Sequence, residues 1–131
     1  MTLVLGRGNT MDSILNTIKK MVLGSLPINS EDPEEQAAFD TDLIVNINTA
    51  FAVLTQLGAG PASGFFITDS TSKWSDFIAD DPIVEMVKQY VYIKTRLGFD
   101  PPTNSSGIDL MKKNADECEW RIKEHFTNYE N

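Results

Sequence analysis

The sequence FDTDLIVNINTAFAVLTQL at residues 39–57 is the strongest indicator of fold class in this chain. Its apolar residues recur at intervals of three and four, which is the period of an amphipathic helix. Pro33 with Glu34 and Glu35 is typical of a helix start, because proline fits the first turn and acids favour the positive end of the helix dipole. Gly58 is placed to end this helix. Its predicted core residues are Phe39, Leu43, Ile44, Ile47, Ala50, Phe51, Leu54 and Leu57.

Two further helices are predicted near the ends of the chain by the same period. The first has Thr10 as its predicted N-cap and Gly24 as a left-handed C-cap. The last follows a polar connector at residues 103–107. The predicted apolar stripes are Ile14, Leu15, Ile18, Met21 and Val22 in the first helix, and Ile108, Met111, Ala115, Cys118, Ile122 and Phe126 in the last.

A fourth helix is predicted from Asp81, as N-cap before Pro82, to about Leu97. Gly98 followed by Phe99 fits a left-handed Schellman stop, and two prolines then prevent any continuation. The residues predicted to form this turn are Gly98, Phe99, Asp100, Pro101 and Pro102, and the predicted apolar stripe is Ile83, Met86, Val87, Tyr90, Ile93 and Leu97.

The remaining segments are predicted to be short connections. Residues 25–32 read as a loop, and residues 59–71 surround a small apolar patch that fits a strand, a hairpin arm or an anchored loop. Residues 73–79 predict a brief helical turn with Trp74, Phe77 and Ile78 facing inward. The predicted fold is mainly α, a small bundle of about four to five helices with a short irregular or β-hairpin loop segment.

Length and charge restrict the class of protein. A chain of 131 residues is expected to form a single core. Its net charge of -8 argues against binding along a phosphate backbone, which depends on clustered Lys and Arg. No run approaches the ~20 apolar residues of a membrane span, and the N-terminus lacks the features of a secretory signal. The sequence therefore predicts a protein without membrane partners that stays in the cytosol of the cell that makes it.

The sequence predicts no catalytic, cofactor or metal site. Cys118 reads as a small buried residue, and His125 lacks the Cys or His partners of a zinc site. Gly6-Arg7-Gly8 lacks the rest of a phosphate-binding loop. The acidic clusters lie at helix starts, where the dipole favours them, or are spread around a helix surface. We therefore expect a protein that is not an enzyme and needs no cofactor.

Trp120, Tyr92, Arg96 and Lys94 do not fit the predicted core. Helical spacing places Trp120 opposite the apolar stripe of the last helix, and Tyr92 outward beside Arg96, where aromatics and arginine are typical of protein contacts. The alternatives are that Trp120 packs on its own chain and that Tyr92 lies on a solvated face. Lys94 falls inside an apolar stripe, so we expect it to reach solvent or to pair with a carboxylate.

Three segments, in order along the chain, resemble the head-tail connector, or adaptor, proteins of tailed bacteriophages. The run VKQYVYIKTRLGFDPP at residues 87–102 is similar to the signature of that family. MDSIL at residues 11–15, with Lys19-Lys20 and Leu23-Gly24, resembles its opening helix. CEWRI at residues 118–122 resembles the Glu-Trp-Arg element of its last helix.

The resemblance implies a structural virion protein. Such proteins assemble into a dodecameric ring between the portal and the tail, which completes the head and extends the DNA channel. The implied partners are further copies of the chain, the portal protein and a tail-side stopper or tail-completion protein, while DNA passes through without sequence-specific binding. The implied location is the head-tail interface of the virion, after assembly in the host cytoplasm. Trp120 and the Tyr92 and Arg96 pair are then candidates for the two contact patches of a ring.

Two points are left open by the sequence. The chain begins ten residues before the family-like Met11, so we expect an N-terminal arm at residues 1–10 and a single helical connector domain at residues 11–131. The alternative functions are a tail-completion or stopper ring protein, which usually contains more strand, and a cytosolic helical module that binds a peptide between its helices.

Overall fold

The computed structural model describes residues 12–24, 32–79 and 81–130, with side chains up to Thr127. In these ranges the chain forms five helices, which confirms the predicted small helical bundle. They are α1 (Ile14–Leu23), α2 (Pro33–Gln56), α3 (Trp74–Phe77), α4 (Val84–Phe99) and α5 (Ser105–Glu130). The predicted arm at residues 1–10, the predicted cap Thr10 and residues 25–31 of the predicted loop lie outside the described residues.

Helix α1 begins and ends differently from the prediction. Ser13 is its N-cap, because the Ser13 hydroxyl accepts a hydrogen bond from the Asn16 amide and so satisfies a free N–H of the first turn. Gly24 keeps right-handed backbone angles, so the predicted left-handed cap there is wrong. The predicted stripe is otherwise confirmed, since Ile14, Leu15, Ile18 and Val22 are buried.

Helix α2 follows the sequence prediction closely. Asp32 caps its N-terminus by accepting from the Glu34 amide, Pro33 lies in the first turn, and Gly58 follows the C-terminus at a φ of 90°. Among the described residues, one helix, α2, is long and apolar enough by length and composition to cross a membrane. This candidate was not predicted from the sequence, because only unbroken apolar runs were counted there. A core helix passes the same test, and α2 buries Leu43, Ile47, Ala50, Phe51 and Leu54.

The segment between α2 and α3 is an anchored loop. The Asn48 side chain accepts from the Ile67 amide at 2.8 Å and donates to the Ile67 carbonyl at 2.9 Å, as a neighbouring strand would do. Phe65 packs edge-on against Phe51, beside the buried Trp74 and Phe77 of α3. Among the described residues there is no strand, only an isolated antiparallel bridge between Ser13 and Lys73.

Helix α4 is the centre of the bundle, with α1, α2 and α5 all packed against it. Val91 and Thr95 are therefore buried in addition to the predicted stripe. The helix starts at Val84, because Asp81, Pro82 and Ile83 first form a turn. Gly98 lies inside the helix and lacks a positive φ, so the predicted left-handed stop is wrong.

Helix α5 returns along α4 through Ala115, Cys118 and Ile122, three residues of its predicted stripe that are buried. It starts at Ser105, three residues before the predicted first apolar position. Helices α2 and α5 both pack on α4 and contact it far more than they contact each other.

Candidate interaction surfaces

Trp120 projects from the outer face of α5. Its side chain is 62% exposed, which is unusual for the largest apolar side chain, and the helix period places it opposite the buried Ala115 and Ile122. Leu110 is similarly exposed, at 59%. Lys113 and Lys123 are exposed on the same side of the helix, and so are Asp116 and Glu124, which lie one turn before and one turn after Trp120. Trp120 is thus a large aromatic on a face of mixed charge, and exposed aromatics of this kind are typical of protein contact sites.

Tyr92 and Arg96 are held by their own chain. Tyr92 is half-buried against the core, and its hydroxyl accepts a hydrogen bond from Arg96 Nη1 at 3.1 Å. Arg96 Nε donates to the Asp100 carbonyl at 2.6 Å and lies 3.7 Å from the Asp100 carboxylate. The side chains therefore do not project freely as the helical spacing suggested. Their role in contacts between chains stays a prediction.

The turn between α4 and α5 is held from both sides. Arg96 ties the end of α4 to Asp100, and the Phe99 ring packs edge-on against Phe39 of α2 at 5.0 Å between centroids. Pro102 lies so close to Gly107 that a Cβ on this glycine would lie 2.9 Å from the Pro102 Cβ. The predicted turn residues thus form a compact corner that fixes the direction of α5 relative to α4.

Lys94 lines a polar groove of about 490 Å³ between α2 and α5. At the wall of this groove Glu119 accepts a hydrogen bond from the hydroxyl of the fully buried Tyr90 at 2.7 Å. Burial raises the pKa of Tyr90 far above its ordinary range, and the negative charge of Glu119 adds to the effect. Lys94 thus lines the same groove as the carboxylates of Asp116 and Glu119, and its predicted pairing with a carboxylate stays a prediction. The other lining residues are Asn46, Thr49, Leu97, Gly98, Lys112, Ala115 and Asp116.

A second groove of about 570 Å³ lies between the start of α4 and α5. His125 Nε2 lies 3.0 Å from the Asp81 carboxylate at its edge. The pKa of Asp81 is lowered, first by the hydrogen bond from the Ile83 amide and then by His125. Burial raises the pKa of the Cys118 thiol, which disfavours the reactive thiolate. Across residues 12–24, 32–79 and 81–130, no cluster of three or more His, Cys, Asp or Glu side chains suits a metal ion.

Three exposed apolar side chains were not predicted as contact residues. They are Leu110 on α5, Val45 on α2, which is 60% exposed, and Phe66 in the anchored loop, which is 69% exposed. The sequence carried a signal for Val45, because the period of α2 places it directly opposite Leu54. Phe66 had no such signal, since residues 59–71 have no period.

The order and type of elements agree with one known family. A model of the phage connector protein family matches residues 14–128, which includes α1 to α4 and all but the last two residues of α5. The comparison with curated proteins gives no match, and the comparison with solved structures gives none either. The family match extends over most of the sequence and agrees with the motifs in α1, α4 and α5, and we conclude that this chain belongs to the phage connector protein family.

Proposed function

We propose that this chain is a structural subunit of a ring that joins the portal to the tail of a bacteriophage and completes the head. The observation that carries the proposal is the family match over residues 14–128. The phage connector family is a family of structural proteins and not of enzymes. It implies a place at the head-tail junction of the virion and interaction with portal and tail components.

The charge of the chain supports a DNA channel. With a net charge of -8 per chain, about twelve copies would carry roughly 96 negative charges, which disfavours adhesion of DNA to the wall. DNA then passes through the ring without sequence-specific contacts. We propose on the same basis that residues 11–131 act as one connector domain and that residues 1–10 form an arm.

The contact residues of the ring are proposed from the surfaces described above. Trp120 is the first candidate, because a large aromatic on an open helix face gains most from burial. Tyr92 and Arg96 act by holding the corner at Asp100, and Lys94 offers a positive charge at the polar groove. The turn from Gly98 to Pro102 sets the angle at which α5 presents Trp120.

The experiment is to measure the mass of the purified chain by light scattering over a concentration series, with and without purified portal protein, and to image large species by negative stain. Annular particles, or rings that form only with the portal, support the proposal. A strict monomer that does not bind the portal overturns it and favours a peptide-binding module. Helix-rich rings that bind only the tail side would instead indicate a stopper or tail-completion protein.

A further inference from the structure

The groove between the start of α4 and α5 is an apolar surface that the described helices leave open. It has a volume of about 570 Å³ and lies between residues 81–89 and residues 118–125. Pro82, Ile83, Met86 and Cys118 give it a mainly apolar lining. An apolar groove of this size with a few polar groups at its edge is typical of a binding site. It is called the α4–α5 groove below.

The charged side chains that line the α4–α5 groove are acidic. They are Asp81, which His125 contacts, and Glu85, and among the described residues no lysine or arginine lines the groove. Lys88 lies outside the lining and bonds to Glu85 at 3.3 Å, but the Glu85 side chain remains 76% exposed and open to a second cation. An occupant of this groove should therefore combine apolar side chains with a positive charge.

The first described residue, Asp12, lies near this groove. Its carboxylate accepts a hydrogen bond from the Ser75 hydroxyl at 3.4 Å. The ring of Trp74, the residue before Ser75, lies 5.8 Å from the Lys88 ammonium group, which in turn bonds to Glu85 at the groove wall. The chain between residue 12 and residue 4 can span about 26 Å when extended. The arm at residues 1–10 is therefore long enough to reach the groove of its own chain.

The arm also has the composition that the groove requires. Leu3, Val4 and Leu5 are three consecutive apolar residues, and Arg7 follows them. Arg7 lies between these residues and Asp12 in the sequence, as Glu85 lies between the groove and Asp12 in the chain of contacts. Residues 25–31 are a poorer occupant, because they include the acidic Glu31 and are joined to a helix at both ends.

We propose that Leu3, Val4 and Leu5 dock in the α4–α5 groove of their own chain, with Arg7 beside Glu85. The arm then fastens the start of α4 to α5, next to the contact between Asp81 and His125. This contact is made within one chain. It therefore goes beyond the proposed ring and does not depend on it.

The test is a cross-link within one chain of the purified protein. Cys118→Ser removes the native thiol, and Val4→Cys with Gln89→Cys places one thiol in the arm and one at an exposed position of the groove. A short bifunctional maleimide is expected to link residues 4 and 89 in a chain of monomer mass, identified by mass spectrometry. The matched control replaces Gln89→Cys by Asn16→Cys, an exposed position on α1 that is nearer to the arm along the chain. An arm that does not dock should link to residue 16 at least as fast, whereas a docked arm should link to residue 89 about tenfold faster.

The native thiol provides a second readout that needs no added cysteine. Cys118 lines the groove and is 9% exposed, so a docked arm should shield it further. Val4→Asp introduces a charge into the apolar part of the arm and is expected to make labelling of Cys118 by a maleimide about tenfold faster. Asn9→Asp adds the same charge outside the apolar part and should leave the labelling rate unchanged. Circular dichroism of each variant checks that the helices are retained.

The outcomes separate this contact from the ring. A link to residue 16 that forms as fast as the link to residue 89 overturns the contact, as does unchanged Cys118 labelling in Val4→Asp. A 4–89 link found only in covalent dimers also overturns it and assigns the groove to the arm of a neighbouring copy. Rings that form without a 4–89 link leave the proposed function standing, and a 4–89 link in a chain that forms no rings supports the arm contact alone.

Discussion

Gly98 of α4 lies against Asn46 of α2 so closely that a Cβ at residue 98 would overlap the Asn46 side-chain amide. At this point the Asn46 side chain packs directly against the backbone of α4. Gly98 is helical and has no positive φ, so its lack of a side chain is needed for this close approach and not for a turn. The same glycine that the sequence placed in a helix stop therefore sets the distance between α2 and α4.

Gly98→Ala is predicted to destabilise the fold in spite of its better helix propensity. Alanine favours a helix over glycine by about 1 kcal/mol, but the new methyl must displace the Asn46 amide, and overpacking of this kind costs about 1–3 kcal/mol. We expect a net loss of about 1 kcal/mol in urea unfolding. Asn46→Ala in the same chain should remove the overlap and make the double variant at least as stable as the wild type. A stabilised single variant would show that Asn46 moves aside freely.

Asn48→Ala is predicted to release the loop that carries Phe66. The substitution removes both hydrogen bonds between the Asn48 side chain and the Ile67 backbone. Ile67 is only 1% exposed, so water cannot readily replace these bonds. Leaving these groups without partners should cost about 2 kcal/mol, and the Ile67 amide should exchange faster with solvent.

The matched control for this loop is Thr41→Ala. Thr41 is an exposed polar residue on the same helix, and its hydroxyl donates to the carbonyl of Ala37 in its own helix. Its loss is expected to change stability by less than about 0.5 kcal/mol. Equal effects of the two substitutions would contradict the anchoring role of Asn48.

Tyr90 and Glu119 are predicted to be energetically coupled. Tyr90→Phe removes a donor to a carboxylate that is partly exposed, so water can replace it, and the cost should be about 1 kcal/mol. Glu119→Ala leaves the buried hydroxyl without its acceptor and should cost more, about 2 kcal/mol. A double-mutant cycle followed by urea unfolding is expected to give a coupling of about 1 kcal/mol. Additive losses would mean that the bond contributes nothing to stability.

The sequence was sufficient to predict most of the helices, because their apolar periods and the start of α2 at Pro33 are local signals. It failed where a neighbouring helix decides the backbone. Nothing near Gly98 in the sequence reveals that Asn46 of α2 lies against it. The one-sided stripe predicted for α4 also missed Val91 and Thr95, since a central helix is covered by three others.

The contact residues were predicted only in part, for a related reason. Trp120 could be placed by period, because α5 is covered on one side alone. The surroundings of Tyr92 could not be predicted by period. Its hydroxyl accepts a hydrogen bond from Arg96, which also donates to the Asp100 carbonyl, and such side-chain conformations depend on tertiary geometry. The pairing of Asp81 with His125, which are 44 residues apart in sequence, likewise needs the antiparallel packing of α4 and α5.

Asp81 is predicted to make stability depend on pH. Its pKa in the folded chain lies below the ordinary value of 3.8, because the Ile83 amide donates to it and His125 lies beside it. Because the pKa of Asp81 is lower in the folded chain than in the unfolded chain, its carboxylate stabilises the fold above pH 3.8. This stabilisation is lost as the pH falls through the folded pKa. We therefore expect the unfolding temperature of Asp81→Asn to fall less than that of the wild type between about pH 6 and about pH 3.

The control for this titration is Asp109→Asn, which removes one carboxylate from an exposed position of α5. Its pH profile should follow that of the wild type. In Asp81→Asn the new side-chain amide still offers an oxygen to the Ile83 N–H, so the turn before α4 is retained. Parallel pH profiles for Asp81→Asn and the wild type would show that the Asp81 carboxylate does not contribute.

The corner at Pro101 and Pro102 is predicted to matter more for assembly than for folding. A proline-to-glycine change mainly increases the freedom of the unfolded chain and should cost about 1 kcal/mol of stability. The Arg96 bonds to Asp100 still end α4, so the bundle should fold. The direction of α5 is then less restricted, and Trp120 no longer meets a neighbouring chain at a fixed angle. Ring formation, measured by light scattering with the portal, is therefore expected to fall well before the unfolding temperature does.

Pro61→Gly is the matched control, because Pro61 lies in the loop between α2 and α3, where its carbonyl accepts from Gly64, and is remote in the sequence from the corner. This change should lower stability by a similar amount and leave ring formation intact. If each corner variant loses assembly only in proportion to its loss of stability, as Pro61→Gly does, the corner has no special role in assembly. A selective loss of rings in Pro101→Gly or Pro102→Gly would instead connect the angle between α4 and α5 to the contact made by Trp120.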